Sequence, residues 1–319
     1  MNEYLEFWLQ TTKTSIRPKT YEQYDQIVHQ HINPLLGDMK LMDIKPDKIQ
    51  AFYNNKLQSG TSERTVILIH AVLHRSLNQA MKLGLITNNP AQAVTRPRLK
   101  QKEMKILDDY QVRDLLLSVK GTKYEALYLI AITTGLRQGE LLALKWNDLD
   151  WKGRKLKVQR QIQRLKDQGL VFSEPKTKAG RRVIALGKST LEKLKEHYKL
   201  QEFERQVTGN RWVDNDLIFP SSVGTPQEAS NTLKHFKQHL KASKLPDIRF
   251  HDLRHTAATL MLQQGIHPKV VQERLGHSNI SLTLDTYSHV LPSMQEEAAD
   301  KIDELLTPIN VTSTSFPEK

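Results

Sequence analysis

From Arg249 to Leu291 the chain reads RFHDLRHTAATLMLQQGIHPKVVQERLGHSNISLTLDTYSHVL, and this stretch limits the fold more than any other. Leu253, Ala257, Leu260 and Met261 recur at the spacing of one helical face, and Gly265 stands where that helix would stop. Pro268 suits the first turn of a second helix carrying Val270, Val271 and Leu275, with Gly276 as its cap. A third begins near Ser281 and puts Leu284, Tyr287 and Leu291 on one side. The polar residues follow a different logic. His251 and Arg254 lie three apart and project from one face, His277 directly follows the capping glycine, and Tyr287 comes ten residues later. Arginine offers a forked, permanently charged donor matched to phosphate. Imidazole can donate to a phosphate oxygen or take a proton near neutral pH, and a phenol can act as a covalent nucleophile once neighbours activate it. Periodicity alone reads Tyr287 as a core tyrosine, because it shares its face with leucines.

Charge narrows the partner. Lys and Arg number 47 against 35 Asp and Glu, a net +12 over 319 residues. A surplus of this size points to a polyanion, nucleic acid well ahead of a membrane surface. No run of eighteen apolar residues occurs and the first twenty lack a signal-peptide core, so a cytoplasmic protein is expected. The absence of cysteine excludes disulfides, thiolate metal sites and a thiol nucleophile. The histidines show no HExxH or comparable ligand spacing, so neither a metal nor another cofactor is expected. The length allows two domains with separate cores.

Residues 1–94 read as all-helical. Leu5, Trp8 and Leu9 suggest a first helix. Thr20 with Gln23 forms a capping-box pattern ahead of Tyr21, Tyr24 and Val28. Pro46 opens a helix through Ile49, Phe52, Tyr53 and Leu57, and a long one runs from about Ser62 to Gly84. Candidate DNA-facing side chains are Arg17, Lys19, Lys56, Arg64 and Arg75, with Lys13, His70 and Lys82 beside them, although any one taken alone is an ordinary solvated residue. Residues 95–105 (TRPRLKQKEMK) are basic, proline-bearing and aperiodic, the character of a linker that can track a phosphate backbone; Arg96, Arg98 and Lys100 are its candidates. Residues 106–306 form the second domain, and 307–319 a Pro/Thr/Ser tail. This domain opens with helices near Asp109–Ser118 and Lys123–Thr134, followed by TTGLRQGELLALKWNDLDW, where Arg137 and Glu140 are three apart, read without context as a helix-surface ion pair. From Gly153 to Leu186 the period shifts towards two, which predicts a small antiparallel sheet of three strands. Helices at 188–206 and around Ala229–Leu240 follow, and 293–306 reads as a last amphipathic helix.

HDLRH, LGHSNIS and DTYSHV, together with TGLRQGELLALKWNDLD and PKTKAGRR, resemble the signature of the tyrosine recombinases, specifically the integrases of phages and conjugative elements. TYEQY and GLITNNPAQAV resemble the core-binding domain of the same proteins. The resemblance implies a mainly α fold with a small antiparallel sheet: a helical core-binding (SAM-like) domain plus a mixed α+β catalytic domain, forming a clamp around DNA. It implies site-specific recombination through a 3′-phosphotyrosine, without metal or ATP. Tyr287 would be the nucleophile, Arg137 and Arg254 the phosphate clamp, and Glu140 a buried supporting carboxylate. Lys176 would be the acid for the 5′ oxygen, with Lys178 two residues on as its rival. His251 would take the phenol proton and His277 would donate to the phosphate, roles that could be exchanged. Only the family pattern favours His251 over His255. Expected partners are double-stranded DNA core sites, a tetramer on two such sites (monomer or dimer off DNA), and an accessory excisionase or DNA-bending protein, with no membrane. The segment after the tyrosine is expected to pack on a neighbouring subunit. Such integrases commonly carry an N-terminal arm-binding domain as well; this chain is expected to be either a truncated form or a naturally shorter relative without it. The alternatives are a Xer-like resolvase or type IB topoisomerase, which share the chemistry, and a non-catalytic DNA-binding regulator, which would be expected to lack a catalytic position.

Overall fold

The computed structural model describes residues 1–99, 104–175, 177–287, 299–300 and 302–306. By contacts these group into two compact units, Met1–Glu103 with Leu165–Gly169, and Met104–Arg164 with Leu170–Lys319.

The first unit is helical: α1 (Asn2–Thr12), α2 (Pro18–Ile27), α3 (Asn33–Leu36), α4 (Pro46–Gln58) and α5 (Glu63–Lys82). Each boundary has a local cause. Pro46 and Pro18 occupy first-turn positions, where a missing N–H does no harm and φ is already helical. The expected Thr20–Gln23 capping box does not form, because Pro18 starts α2 two residues earlier and places Thr20 inside it. Ser62 caps α5 by accepting from the Thr65 N–H at 3.2 Å. A five-residue π-helical turn, Val28–Ile32, joins α2 to α3. The core is built from Trp8, Ile32, Tyr53, Ile69, Leu73 and Leu77, the apolar stripes that the spacing marks.

The second unit begins with α6 (Asp109–Ser118), α7 (Lys123–Thr134) and α8 (Gln138–Leu141). Strands follow: β1 (Leu149–Asp150), β2 (Lys155–Val158), β3 (Gln161–Leu165), β4 (Gly169–Ser173) and β5 (Arg182–Ala185). The expectation of one three-stranded sheet needs correcting. A three-stranded antiparallel sheet exists, but its order is β1-β2-β5, with Leu149 opposite Leu156 and Leu156 opposite Ile184, while β3 and β4 form a separate pair. Alternation in Leu156, Val158 and Ile162 looks continuous, yet the chain leaves the first sheet at Gln159–Arg160, where Asp148 accepts from both side chains. β4 and β5 therefore belong to different sheets. Lys178 is exposed and lies in a 3₁₀ turn, Lys178–Gly180, beyond the end of β4.

The unit continues with α9 (Lys188–Thr208), α10 (Ala229–Ala242), α11 (Asp252–Gln263), α12 (Pro268–Leu275) and α13 (Ile280–Tyr287). Gly276 ends α12 in the left-handed region (φ 70°), and Gly265 (φ 71°) follows α11. The helix read at 293–306 lies mostly outside the described residues; 299–300 and 302–306 are helical, with Ile302, Leu305 and Leu306 exposed. No described helix is long and apolar enough to cross a membrane.

Candidate active site

Arg254 is the centre of the arrangement. Its side chain is buried between two helix ends, and Nη1 donates to the Gly135 carbonyl at the end of α7 and to the Leu275 carbonyl at the end of α12, each at 2.7 Å. Both are carbonyls that a helix leaves without an intrahelical partner, and both helix dipoles point their negative end at the guanidinium. The approach is tight: Gly135 has φ 64°, and a Cβ there would sit 2.3 Å from Leu275 Cδ2. Nη2 of Arg254 is buried and has no hydrogen-bond partner among the described residues. Burial, then the charge of Arg137, push the Arg254 pKa down to about 9, with Glu140 acting in the opposite sense. The group stays cationic at neutral pH. An unpartnered buried donor on a charged group is expensive unless a ligand takes it.

Arg137 sits at the N-cap of α8, where the chain is extended (φ −67°, ψ 147°). Nη1 donates to Glu140 Oε1 at 2.8 Å, yet the side chain remains 40% exposed. Glu140 itself is 2% exposed, and its second oxygen accepts from Arg182 Nη2 at 3.0 Å. Burial raises the Glu140 pKa, but Arg182 and Arg137 overcome it and hold the carboxyl below its ordinary value. The pair is therefore more than a surface bridge: one buried carboxylate serves two guanidiniums.

Arg182 is a residue the sequence reading missed. Its Nε donates to the Arg274 carbonyl at 2.6 Å and its Nη1 to the Gly180 carbonyl at 3.0 Å. It thus ties the turn at Gly180, α8 and the last turn of α12 together, just before His277. Gly276 makes room for it, since a Cβ there would lie 2.9 Å from Arg182 Nη1. The one signal available was an arginine at a position where a sheet interior would favour an apolar residue.

Three imidazoles adjoin the cluster. His277 is buried, with Nδ1 2.8 Å from Thr283 Oγ1, which leaves Nε2 for a ligand. Burial, then Arg254 and Arg137, push its pKa down to about 4. His251 keeps an exposed edge, and partial burial followed by His255, Arg254 and Arg137 also brings it to about 4. His255 is lowered too, chiefly by burial. All three are neutral at pH 7 without an anion present.

Tyr287 is 1% exposed and packs against Ala258, Leu262, Val271 and Leu275, as periodicity alone suggests. Its hydroxyl, however, lies 2.9 Å from His255 Nδ1 and feels the charge of Arg254. Burial pushes the phenol up to about 12, with Arg254 opposing. The imidazole in contact with the phenol is therefore His255; His251 stacks edge-on against His255 at 5.4 Å, and no hydrogen bond joins it to Tyr287 among the described residues. Arg137, Glu140, His251, Arg254, His277 and Tyr287 thus meet in one electrostatically coupled cluster. Lys176 lies outside the described residues.

The candidate DNA contacts of the first unit are dispersed. Arg17 and Arg64 are exposed. Arg75 packs on the Tyr24 ring, Lys56 over Phe52, and Lys19 pairs with Glu22 at 2.8 Å. His70 is buried, with Nδ1 3.0 Å from the Tyr53 hydroxyl, so it is a core residue and not a surface contact. Arg96 and Arg98 are exposed, and Arg96 acts electrostatically on His70; Lys100 lies outside the described residues.

Residues 98–294 match the profile described as the phage integrase family, and residues 1–57 that of the phage integrase N-terminal SAM-like domain. The chain is 32% identical to a tyrosine recombinase XerC-like protein of Caldanaerobacter subterraneus subsp. tengcongensis, covering 96% of this chain and 83% of the relative. It is 29% identical to the ICEBs1 integrase of Bacillus subtilis, covering 95% and 82%. Among solved structures, the Tn1549 transposon integrase in complex with a circular intermediate DNA shares the fold with a TM-score of 0.78 at 21% identity, over 93% of this chain and 99% of the other. A lambda integrase tetramer bound to a Holliday junction gives 0.67 at 22%, over 89% and 76%.

Proposed function

This chain belongs to the phage integrase family of tyrosine recombinases, and on that premise we propose that its buried cluster binds one DNA phosphate and exchanges strands there through Tyr287. The observation that carries this reading is the free Nη2 of Arg254: a buried cationic donor, fixed by two helix ends and flanked by Arg137 and His277, is built for an anion. Arg137, with its exposed side chain, and Arg254 take the non-bridging oxygens, and His277 Nε2 donates to one of them. Tyr287 Oη attacks phosphorus, the bond to the 5′ oxygen breaks, and the 3′ phosphate stays on the phenol. The 5′ oxygen takes a proton, which we assign to Lys176. The phenol proton passes to an imidazole, His251 or His255. Reversal of these steps by another 5′ hydroxyl rejoins a strand without outside energy. Tyr287 must first leave its apolar pocket, so the described geometry is a resting one.

Under this reading residues 1–94 bind the core site, with the basic segment 95–105 along the backbone. The working assembly is a tetramer on two sites, with an accessory excisionase or bending protein as a further partner. An apolar groove of about 570 Å³, lined by Leu260, Met261, Ile266 and Val270, supports subunit docking, because exposed Ile302, Leu305 and Leu306 offer a face of matching character. The test is Tyr287→Phe on a nicked duplex bearing the element's own junction. The covalent protein–DNA adduct should disappear on a denaturing gel while affinity stays within about twofold; an adduct that survives the substitution refutes the assignment.

A further inference from the structure

Away from the cluster, the second unit holds a cleft of about 980 Å³ between α9, the turn after β1 and the loop 212–224. Three of the chain's four tryptophans, Trp146, Trp151 and Trp212, line it. The rings of Trp146 and Trp151 lie 6.0 Å apart and nearly parallel, and Tyr198 meets Trp146 edge-on at 5.0 Å. These walls are fixed in advance. The Trp146 indole donates to Gln201 Oε1 at 2.6 Å, and the Gln201 amide donates to the Leu217 carbonyl at 2.9 Å. Trp212 is seated over Gly224, where a Cβ would stand 2.9 Å from the indole.

The cleft also reverses the sign of the molecule. In a chain of net charge +12, five carboxylates line it against three cations. Four of the five are paired: Glu192 with Lys195 at 2.9 Å, Glu196 with Lys193 at 2.8 Å, and Glu202 and Asp214 with Arg205 at 3.8 and 3.2 Å. Asp216 is half-buried, its carboxylate accepts a single 3.3 Å bond, from the Asn147 N–H, and it has no ion-pair partner among the described residues. The unpaired carboxylate disfavours an anion beside it. Flat aromatic faces beside an uncompensated carboxylate are the chemistry that receives a guanidinium, which stacks on indole while its N–H fork reaches the acid. The volume is at the upper end of small-ligand sites and suits an extended segment.

We propose that this cleft docks an arginine-bearing segment of a protein partner, with Asp216 as the acceptor and the tryptophan faces as the platform. None of its lining residues belongs to the catalytic cluster, so docking leaves the phosphate site open.

The test uses the intact chain labelled with 5-fluorotryptophan, whose resonances are assigned by single Trp→Phe variants. Trp8, buried in the first unit, serves as the internal control. The probe is acetyl-Pro-Arg-Pro-Arg-Pro-amide, with glutamate and lysine counterparts. The arginine peptide should shift the Trp151 and Trp212 resonances saturably at millimolar concentration or below and leave Trp8 unmoved. The lysine peptide should bind more weakly, and Asp216→Asn should weaken the arginine peptide about tenfold without changing adduct formation on DNA. No shift with the arginine peptide, an equal shift with the glutamate peptide, or movement of Trp8 alongside the rest each overturns the proposal. The peptide comparison is made on the unaltered protein, so it decides even where Asp216→Asn does not fold.

Discussion

His277 shows how a single buried residue sets a property of the whole unit. Its pKa falls from an ordinary value near 6.5 to about 4 because burial and two guanidiniums oppose its charged form. Between those values the unfolded chain binds a proton that the folded chain refuses. Stability is therefore fully present above pH 6.5 and is lost as pH falls towards 4, by on the order of 2–3 kcal/mol for this group. His251 and His255 share the sign, whereas the lowered Glu140 acts only at more acid pH. Urea unfolding of the second unit at pH 7 and pH 5 should show His277→Gln losing about 1–2 kcal/mol less than the unaltered chain; equal losses would remove His277 as a contributor. At this scale the sequence was readable where a motif fixed an order of residue types. It was silent where two neighbours compete. His251 and His255 lie four apart on one face, and nothing in the spacing says which reaches the phenol. Arg182 was missed because its partners, Glu140 and the carbonyls of Gly180 and Arg274, come from three separate segments.

Between elements, the decisive contacts are where helices end. Gly135 and Leu275 close α7 and α12 on the same guanidinium, so the phosphate site depends on how near those ends approach. Gly135→Ala meets two penalties, a left-handed backbone worth about 1–2 kcal/mol and an overpacked contact with Leu275 worth about 1–3 kcal/mol. Gly265→Ala meets only the first, because its Cβ would point into open space. Urea midpoints should separate the two variants by at least about 1 kcal/mol, and adduct formation should fall for Gly135→Ala alone. Indistinguishable variants would show that the approach of α7 to α12 is slack. Helix starts and stops were legible because proline, serine and glycine act locally: Pro46, Ser62 and Gly276 each stand where the chain turns. Sheet membership was not. Alternation reports which side chains are buried, but the partner of each strand is chosen by residues far away, and β5 pairs with β2 across the whole β3–β4 pair.

For the molecule as a whole, the surplus of cations fixes the class of partner without fixing which cations touch it. If the +12 charge is spent on phosphates, each neutralised phosphate releases counterions, and the logarithm of affinity falls with the logarithm of salt by about 0.9 per contact. Anisotropy with a labelled duplex between 50 and 200 mM salt should then show a loss of roughly a thousandfold. Exposed Arg98 should act as one such contact, so Arg98→Gln flattens the slope by about one. Lys19 is already engaged by Glu22, and Lys19→Gln should change the slope less, because a cation held by a carboxylate has less charge left to exchange for counterions. A flat salt response would break the link between charge and DNA, and equal effects of the two variants would mean that pairing inside the unit does not decide which cations reach the backbone.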